Sequence, residues 1–278
     1  MFYREIQPSP AAARVVRCYW ILEDDGASRG PQRIVPDGRS ELILNLGQPY
    51  ESQTPSGWKS QPQYFFMGQI TGPLLLRAAG RARTIGIRFH PHTAGHVLGI
   101  PANELTNTAT ELDHLSRPLW RELEPLAELH GPLDAIQVLD QVIARRDFKS
   151  DEQLADAVRE LEGSRGSMRI AEIAYRAGLS ARQFERRFLS AVGIPPKLFC
   201  RMQRFQRVFP ALENQHDGWA DTAARCGYYD QAHLIRDFHE FAGKPPALLL
   251  AEETDLARHF VQSRQLSHFS NTRQAGAP

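Results

Sequence analysis

Residues 186–196 read Arg-Arg-Phe-Leu-Ser-Ala-Val-Gly-Ile-Pro-Pro, and residues 236–246 read Arg-Asp-Phe-His-Glu-Phe-Ala-Gly-Lys-Pro-Pro. The shared string, Arg-x-Phe-x₄-Gly-x-Pro-Pro, returns after 236 − 186 = 50 residues, about the size of one small helical unit, and indicates a duplicated module. In each copy a helix-forming stretch leads into a short turn with a glycine, Gly178 or Gly227, and a second helix follows. This is the pattern of a helix-turn-helix. Two of them predict a protein that reads DNA.

Charge is distributed unevenly along the 278 residues. The chain has a net charge of +1, with 42% hydrophobic and 23% charged residues, as in ordinary globular proteins. Residues 165–250 contain 13 Lys and Arg against 8 Asp and Glu, whereas residues 1–164 contain 17 against 21. A basic carboxyl-terminal module behind an acidic amino-terminal one suits a chain of which only one end meets phosphate.

Other features of the composition exclude several classes. The chain has no run of about 18 apolar residues, so no membrane span is predicted. The amino terminus lacks the apolar segment of a secretory signal. Three scattered cysteines, Cys18, Cys200 and Cys226, are too few for a disulfide framework. We therefore expect a cytoplasmic protein without membrane partners.

The fold class predicted is α+β, with a β-rich, cupin-like amino-terminal domain carrying appended helices and an all-α carboxyl-terminal domain with two helix-turn-helix motifs. Short apolar runs in the first 98 residues predict a small sandwich or barrel. The predicted strands are Val15–Leu22, Ser40–Leu46, Tyr64–Met67, Leu74–Ala78 and Thr84–Phe89. From Thr93 to Arg146 the pattern is helical, most clearly over Asp134–Arg145.

The predicted domains are 1–147 for effector binding or dimerisation, 150–250 for DNA binding, and a partly disordered tail over 251–278. Ser150, with Gln153 three positions later, is expected to cap the first helix of the second domain. Pro210 lies late in the long helix that should connect the two motifs, and we expect it to kink or shorten that helix.

The second helix of each motif presents polar residues on the face opposite its core positions. In the first motif Phe184 and Phe188 point inward, while Ser180 caps the helix. In the second, Leu234 and Phe238 take the inward positions. Arginine and glutamine make common base contacts in the major groove. The candidate DNA-binding residues are Ser180, Arg182, Glu185, Arg186, Gln231, Ala232, His233 and Arg236.

Residues 150–250 resemble the AraC/XylS family of transcriptional regulators. The resemblance is carried by Gly227-Tyr228-Tyr229-Asp230-Gln231 and the following Leu234-x-Arg236-x-Phe238, then Gly243-x-Pro245-Pro246. It implies two motifs joined by one long helix, with the candidate residues above at base- and phosphate-contacting positions. Trp219 and Thr222 stand where that family usually has aliphatics, which could alter the spacing of the two reading helices.

The front half resembles an uncharacterised domain often found ahead of such DNA-binding domains. The residues concerned are Arg33–Ile43 and the Gly86-Ile-Arg88-Phe89-x-Pro91 segment. The resemblance implies a cupin-like module for an effector or for dimerisation and names no ligand. Arg39 and Glu41 are two apart, so both point to one side of a strand, where they line a ligand pocket or form an ion pair.

His90, His92 and His96 leave a metal site open as an alternative, because neutral imidazoles are common metal ligands. Pro91 interrupts the strand, so solvated loop histidines are the simpler interpretation, and we predict no metal and no cofactor. Cys18 and Cys226 leave redox sensing as a minor alternative.

The sequence thus predicts a non-enzymatic, sequence-specific transcriptional regulator. Its expected partners are double-stranded DNA in the major groove, a small-molecule effector, a second copy of the chain and RNA polymerase. A metal-binding cupin sensor or enzyme fused to a DNA-binding domain is the alternative, and a regulator whose front half only dimerises is another.

Overall fold

Alternating apolar residues build the first half around a large antiparallel sheet. In the strand Val16–Asp24, Tyr19 and Ile21 face one side while Trp20 and Leu22 face the other, as the period of a β-strand requires. The computed structural model describes residues 1–26, 30–129, 131–148, 151–164, 168–213 and 218–251.

Ten strands form two sheets in the described part of the chain. The strands are β1 Phe2–Ile6, β2 Val16–Asp24, β3 Gln32–Ile34, β4 Glu41–Asn45, β5 Tyr50–Thr54, β6 Gly57–Ser60, β7 Tyr64–Met67, β8 Leu74–Ala78, β9 Ala82–Phe89 and β10 Ala109–Glu111. The six-stranded sheet has the order β1-β2-β9-β4-β7-β10, and the four-stranded sheet has the order β3-β8-β5-β6. Their strands pair antiparallel. Each of the five predicted strands overlaps an observed one.

Short helices cover the face of the six-stranded sheet that lies away from the four-stranded sheet. They are α1 Ala94–Leu98, α2 Leu112–Leu115, α3 Arg117–Leu123 and α4 Pro132–Ala144. The predicted apolar face of α4, Ile136, Leu139, Val142 and Ile143, is buried in the same cluster as Ile85 and Ile87 of β9. One part of the helical prediction for Thr93–Arg146 is wrong. Residues 109–111 form β10, because they pair with Phe65–Met67 of β7.

In the part of the chain that the structure describes, seven further helices share a second core. They are α5 Glu152–Gly163, α6 Ile170–Arg176, α7 Ala181–Val192, α8 Pro196–Glu213, α9 Trp219–Arg225, α10 Gln231–Ala242 and α11 Pro246–Ala251. Phenylalanines from α7, α8 and α10 are fully buried at its centre. Phe205 meets Phe238 edge-on at a centroid distance of 4.9 Å, a favourable aromatic geometry that ties α8 to α10. The predicted α+β fold class, with an all-α second half, is confirmed.

Two details of the second half differ from the sequence expectation. The cap of α5 is Asp151, whose side chain accepts from the Leu154 backbone N–H at 3.2 Å, and Ser150 lies outside the described residues. Pro210 lies inside α8, which continues to Glu213, so the expected shortening at Pro210 does not occur. Pro210 has no N–H to donate to the carbonyl of Gln206, and three helical residues follow it. The predicted disorder of the tail concerns residues that, apart from Ala251, also lie outside the described ones. The domain boundary near 147–150 stays a prediction.

Candidate nucleic-acid interface

The first helix-turn-helix unit consists of α6 and α7. Ile173 and Ala174 bury one face of α6, and the chain then turns through Gly178 at φ +64°, a conformation that glycine adopts without a Cβ penalty. Ser180 begins α7 with a complete capping box, since its hydroxyl accepts from the Gln183 backbone N–H and the Gln183 side chain accepts from the Ser180 N–H. Ser180 is therefore exposed but already occupied by the cap.

The face of α7 opposite its core is free for contacts with a partner. Phe184 and Phe188 are fully buried, whereas Arg182, Glu185 and Arg186 are exposed. Among the described residues none of these three takes part in an ion pair, and Glu185 pairs with neither Arg182 nor Arg186. We call Arg182, Glu185 and Arg186 the first reading face.

The second unit, α9 and α10, repeats this plan. Asp230 caps α10 by accepting from the His233 backbone N–H at 2.7 Å, and Leu234 and Phe238 are buried. Gln231, Ala232 and Arg236 are exposed, as in the first unit. We call these three residues, together with His233, the second reading face.

His233 differs from the other members of the second reading face. Its ring is half-buried and lies edge-on against Tyr228, with a centroid distance of 5.2 Å. A ring held in this way has less freedom to follow a base edge than the exposed Gln231 beside it.

Two exposed tyrosines next to the reading helices were not predicted from the sequence. Tyr229, in the turn just before α10, is 93% exposed, and Tyr175 near the end of α6 is 84% exposed. An aromatic residue in sequence reads as core, and only the structure reveals these two rings as solvent-facing. Their position makes them additional candidates for contact with a nucleic acid.

The arginines of α8 mainly hold the second unit in place. The sequence predicts Arg201, Arg204 and Arg207 on the outer face, but all three are half-buried. Arg201 pairs with Asp237 of α10, a buried carboxylate, at 2.7 Å. Arg207 donates to the Arg225 backbone carbonyl of α9 at 3.1 Å. Because these groups are occupied, the arginines of α8 tie this helix to α9 and α10.

The two unusual residues of α9 fit this core. Thr222 is 1% exposed, and Trp219 is half-buried against the same cluster. The helix keeps its place ahead of α10 with both of them present.

A cavity of about 100 Å³ lies between the two sheets of the first half. Most of its lining is apolar, including Trp20, Leu22, Ile34, Ile43, Leu74 and Leu76. Arg39 and Glu41 both line it, as does Gln206 of α8. The cavity thus touches the helix that connects the two reading units.

Arg39 and Glu41 also form ion pairs, but not with each other. Arg39 donates to Glu162 of α5 at 2.7 Å, and Glu41 accepts from Arg88 at 2.8 Å. Glu5 accepts from the same Arg88 at 2.8 Å. Burial raises the pKa of Glu41, and the neighbouring guanidinium of Arg88 opposes that rise. The charges around the cavity are therefore largely neutralised within the protein.

The three histidines of the metal alternative do not meet at one point. His90 Nε2 lies 3.1 Å from the Ala13 carbonyl oxygen, and the rings of His90 and His92 are 6.1 Å apart. Within the described residues, the donor atoms of His90, His92 and His96 do not form a group close enough to share an ion. Such a group does exist at Glu111, Asp113 and His114, on the surface beside α2.

The cysteines named as redox candidates are both buried. Burial raises the pKa of Cys18 to about 12 and also raises that of Cys226. The thiolate is the reactive form, so these environments disfavour oxidation.

The two halves of the chain contact each other directly. Gln206 of α8 donates to the Pro36 carbonyl oxygen at 2.5 Å, and Thr106 donates to the Gly193 carbonyl oxygen at 2.6 Å. These contacts leave both reading faces exposed. No described helix is long and apolar enough to cross a bilayer.

Two helix-turn-helix units, each with polar residues exposed on its second helix, place the carboxyl-terminal half in the helix-turn-helix class. Residues 173–252 match the sequence model of a family described as a helix-turn-helix domain, and residues 4–111 match that of a domain of unknown function, DUF6597. The carboxyl-terminal region is therefore an AraC-type helix-turn-helix domain, as the sequence resemblance predicted, and it follows a DUF6597 domain.

One curated relative supports the same assignment. The HTH-type transcriptional regulator Rv1931c of Mycobacterium tuberculosis is 36% identical over 81 residues, which are 29% of this chain. The match spans 31% of the length of that relative.

Solved structures give weaker matches. An apo variant of ToxT from Vibrio cholerae strain SCE256 has a TM-score of 0.44 at 10% identity, covering 84% of this chain and 96% of that one. The DNA-binding domain of AdpA in complex with a target DNA has a TM-score of 0.33 at 31% identity, covering 36% of this chain and 90% of that one. TM-scores below 0.5 do not establish a common fold for the whole chain.

Proposed function

We propose that this protein is a transcriptional regulator that binds one specific DNA site with α7 and α10. The observation that carries the proposal is the pair of reading faces. Each is mostly polar and, apart from the half-buried His233, exposed, and each stands on a helix whose other side is buried. None of their arginines is neutralised by an ion pair among the described residues. Arginine and glutamine in such positions suit bidentate contacts to guanine and adenine.

The two helices would enter adjacent major-groove segments about one helical turn apart. Arginine contacts to phosphates would supply register and much of the affinity, while contacts to base edges would supply the sequence preference. The Rv1931c relative, described as an HTH-type transcriptional regulator, supports this function for the matched region.

The test begins with selection of binding sites from random DNA by the full chain. Arg186→Ala and Arg236→Ala are then compared with the unchanged protein on the selected site and on random DNA. We expect each variant to lose about 10- to 100-fold on the selected site, the value of a good base contact, and less on random DNA. Equal losses on both DNAs would reassign these arginines to phosphates.

Arg121→Ala is the matched control for that experiment. Arg121 is exposed on α3, far in sequence from either reading face, and its replacement removes the same charge. It should leave binding to the selected site unchanged at constant salt. A similar loss for Arg121→Ala would mean that net charge, and not the reading faces, determines binding.

The amino-terminal domain is proposed to receive a small-molecule effector in its cavity. The supporting observation is that one lining residue, Gln206, belongs to the helix connecting the reading units. A thermal-shift screen of metabolites on the full chain tests this against a domain that only dimerises. In the second case no compound raises the melting temperature, and the oligomeric state alone changes DNA affinity.

A further inference from the structure

The cavity between the two sheets has a chemistry that restricts what it can hold. Three of its five charged lining residues form ion pairs inside the protein, since Arg88 pairs with Glu5 and Glu41 while Arg39 pairs with Glu162. Arg33 donates to the Ala242 carbonyl oxygen at 3.0 Å. A charged ligand would therefore enter a mostly apolar chamber in which Arg39, Glu41 and Arg88 are already paired, and its desolvation is costly. A neutral molecule avoids that cost.

One polar atom of a residue that lines the cavity still lacks a partner. The Arg39 side chain is 8% exposed, and its Nη1 is buried with no hydrogen-bond partner among the described residues. Buried donors are nearly always satisfied, so an unmatched one is a place where a ligand acceptor fits. Because Glu162 already balances the charge of Arg39, the acceptor can be a neutral oxygen.

The size of the cavity sets a further limit. Its volume of about 100 Å³ approaches that of an apolar protein cavity of roughly 150 Å³ that binds benzene. Trp20 and Tyr50 are in its wall and offer aromatic surface. One ring or a short aliphatic chain matches this space.

The walls of the cavity continue into the contacts that hold both reading helices. Gly193 and Gly243, the repeated glycines, end α7 and α10 in the left-handed region, at φ +95° and +70°. A Cβ on Gly193 would lie 3.1 Å from the Ala102 carbonyl oxygen and 3.3 Å from Gln69, which follows the cavity residue Gly68. The end of α7 is therefore packed against the segment that forms one cavity wall.

The end of α10 is held in an equivalent way by the other wall. A Cβ on Gly243 would lie 3.3 Å from Pro73 and 3.6 Å from Arg33, and Arg33 lines the cavity. Between these two contacts, Gly38 packs against Phe199 of α8. The amino-terminal domain thus fixes the carboxyl ends of both reading helices through residues at or next to its cavity.

We propose that this cavity binds a small neutral molecule with one aromatic ring or short apolar chain and one hydrogen-bond acceptor, and that its occupancy sets the relative position of α7 and α10. The acceptor meets Arg39, the apolar part fills the space between the sheets, and displacement of the walls moves the two helix ends. This inference rests on the proposed effector role of the domain and adds the class of effector and its route to the DNA.

Three probes of one ring each test the ligand class by calorimetry on the full chain without DNA. They are benzyl alcohol, toluene, which lacks the acceptor, and benzoate, which carries a charge. We expect benzyl alcohol to bind about tenfold or more tightly than benzoate, and toluene to fall between them. Arg39→Lys keeps a cation for Glu162 but removes the forked guanidinium, so it should abolish the advantage over toluene. Tighter binding of benzoate, or no binding of benzyl alcohol, would overturn the assigned class.

The variant Leu76→Phe tests whether the ligand binds inside the cavity. Leu76 lines the cavity, whereas Leu75 on the same strand does not, so Leu75→Phe is the matched control. The first substitution should weaken benzyl alcohol binding by about tenfold or more, and the second should leave it unchanged. Equal binding by both variants would place the ligand elsewhere.

The coupling between cavity occupancy and the position of the reading helices is measured as the distance between spin labels on α7 and α10, again without DNA. Ala181→Cys and His239→Cys place labels at exposed positions on α7 and α10, and the native cysteines are buried. Benzyl alcohol should shift or narrow the distance distribution, and Leu76→Phe should cancel the effect. An unchanged distribution with the ligand bound would overturn the coupling. Failure to select a specific DNA site would instead reject the regulator function, with the binding results unaffected.

Discussion

Loss of Arg88 should destabilise the protein more than loss of any single residue of the reading faces, because Arg88 neutralises two acids at once. It is 6% exposed and donates to Glu5 and Glu41, both at 2.8 Å. Arg88→Met would leave two carboxylates buried without a counter-charge. We expect it to lower the free energy of unfolding by about 3–5 kcal/mol at neutral pH, as for other broken buried pairs. Urea unfolding followed by tryptophan fluorescence measures the loss.

The loss should shrink in mild acid, because burial already raises the pKa of Glu41 and protonation removes the unpaired charge. Arg159→Met is the control. Its exposed pair with Asp156 should contribute about 0–1 kcal/mol. If the two variants lose the same free energy, the buried cluster has no special structural role.

His92 gives the amino-terminal domain a defined sensitivity to acid. Burial, together with the neighbouring His90, Arg159 and His96, lowers its pKa to about 4, while Glu162 opposes them. The folded state therefore binds fewer protons than the unfolded state between the ordinary value of about 6.5 and about 4. Stability rises with pH across that window and is lost as the pH falls through it.

Replacement of His92 by a side chain that cannot titrate tests whether His92 causes this loss of stability in acid. His92→Phe should gain about 2–3 kcal/mol of unfolding free energy relative to the unchanged protein between pH 7 and pH 4.5, as follows from the shift of the pKa. His114→Phe, at an exposed position, should gain nothing. A constant difference between the unchanged protein and His92→Phe at both pH values would show that His92 is not held neutral.

At the scale of one element, the residue at the start of α7 has a structural role, helix capping, that competes with a role in DNA contact. The Ser180 hydroxyl caps the helix that carries the first reading face. Ser180→Ala should lower stability by about 1 kcal/mol. It should also weaken binding to the selected DNA site.

Ser180→Asp separates the two roles, because aspartate is an equally good cap but is repelled by phosphate. Stability should be kept with this variant. Retained DNA affinity means that Ser180 acts only as a cap, whereas lost affinity with intact stability means that it lies against the DNA backbone. Loss of stability in both variants would contradict the capping assignment.

The elements that the sequence predicts well are those with one apolar side. α7, α10 and the predicted strands β2, β4, β7, β8 and β9 carry such a side, and they are observed. By contrast, β5 and β6 were missed because Glu51, Ser52, Lys59 and Ser60 are too polar for a buried-strand pattern. Their pairing partners, and not their composition, make them strands. Asp151 was not predicted as the cap of α5, because serine and aspartate are both preferred capping residues and Ser150 and Asp151 are adjacent.

At the scale of the molecule, the sequence predicted most of the exposed residues on the two reading helices but not how the two halves meet. Gly193 and Gly243 occupy the same position in the repeated string, and they end α7 and α10. Their second property, close packing on the amino-terminal domain, depends on residues 90 to 210 positions away and leaves no local pattern. The cavity is hidden for the same reason. Arg39 and Glu41 signalled a polar group on one side of a strand, but only the fold supplies the apolar chamber beside it.

The two reading faces differ, and so one chain should recognise a DNA site of two unlike segments. In the 50-residue register, Ala181 and Arg182 of α7 correspond to Gln231 and Ala232 of α10. The double variant Gln231→Ala, Ala232→Arg gives the second helix the first helix's residues at these positions. Selection from random DNA should then return a second segment that resembles the first, about one helical turn away. The preference at the altered base pairs should move by about 1–3 kcal/mol each.

His239→Ala, at an exposed position outside the reading face, should leave both segments unchanged. A second segment that stays the same in the double variant would mean that α10 holds the phosphate backbone and that the first reading face alone carries the sequence information.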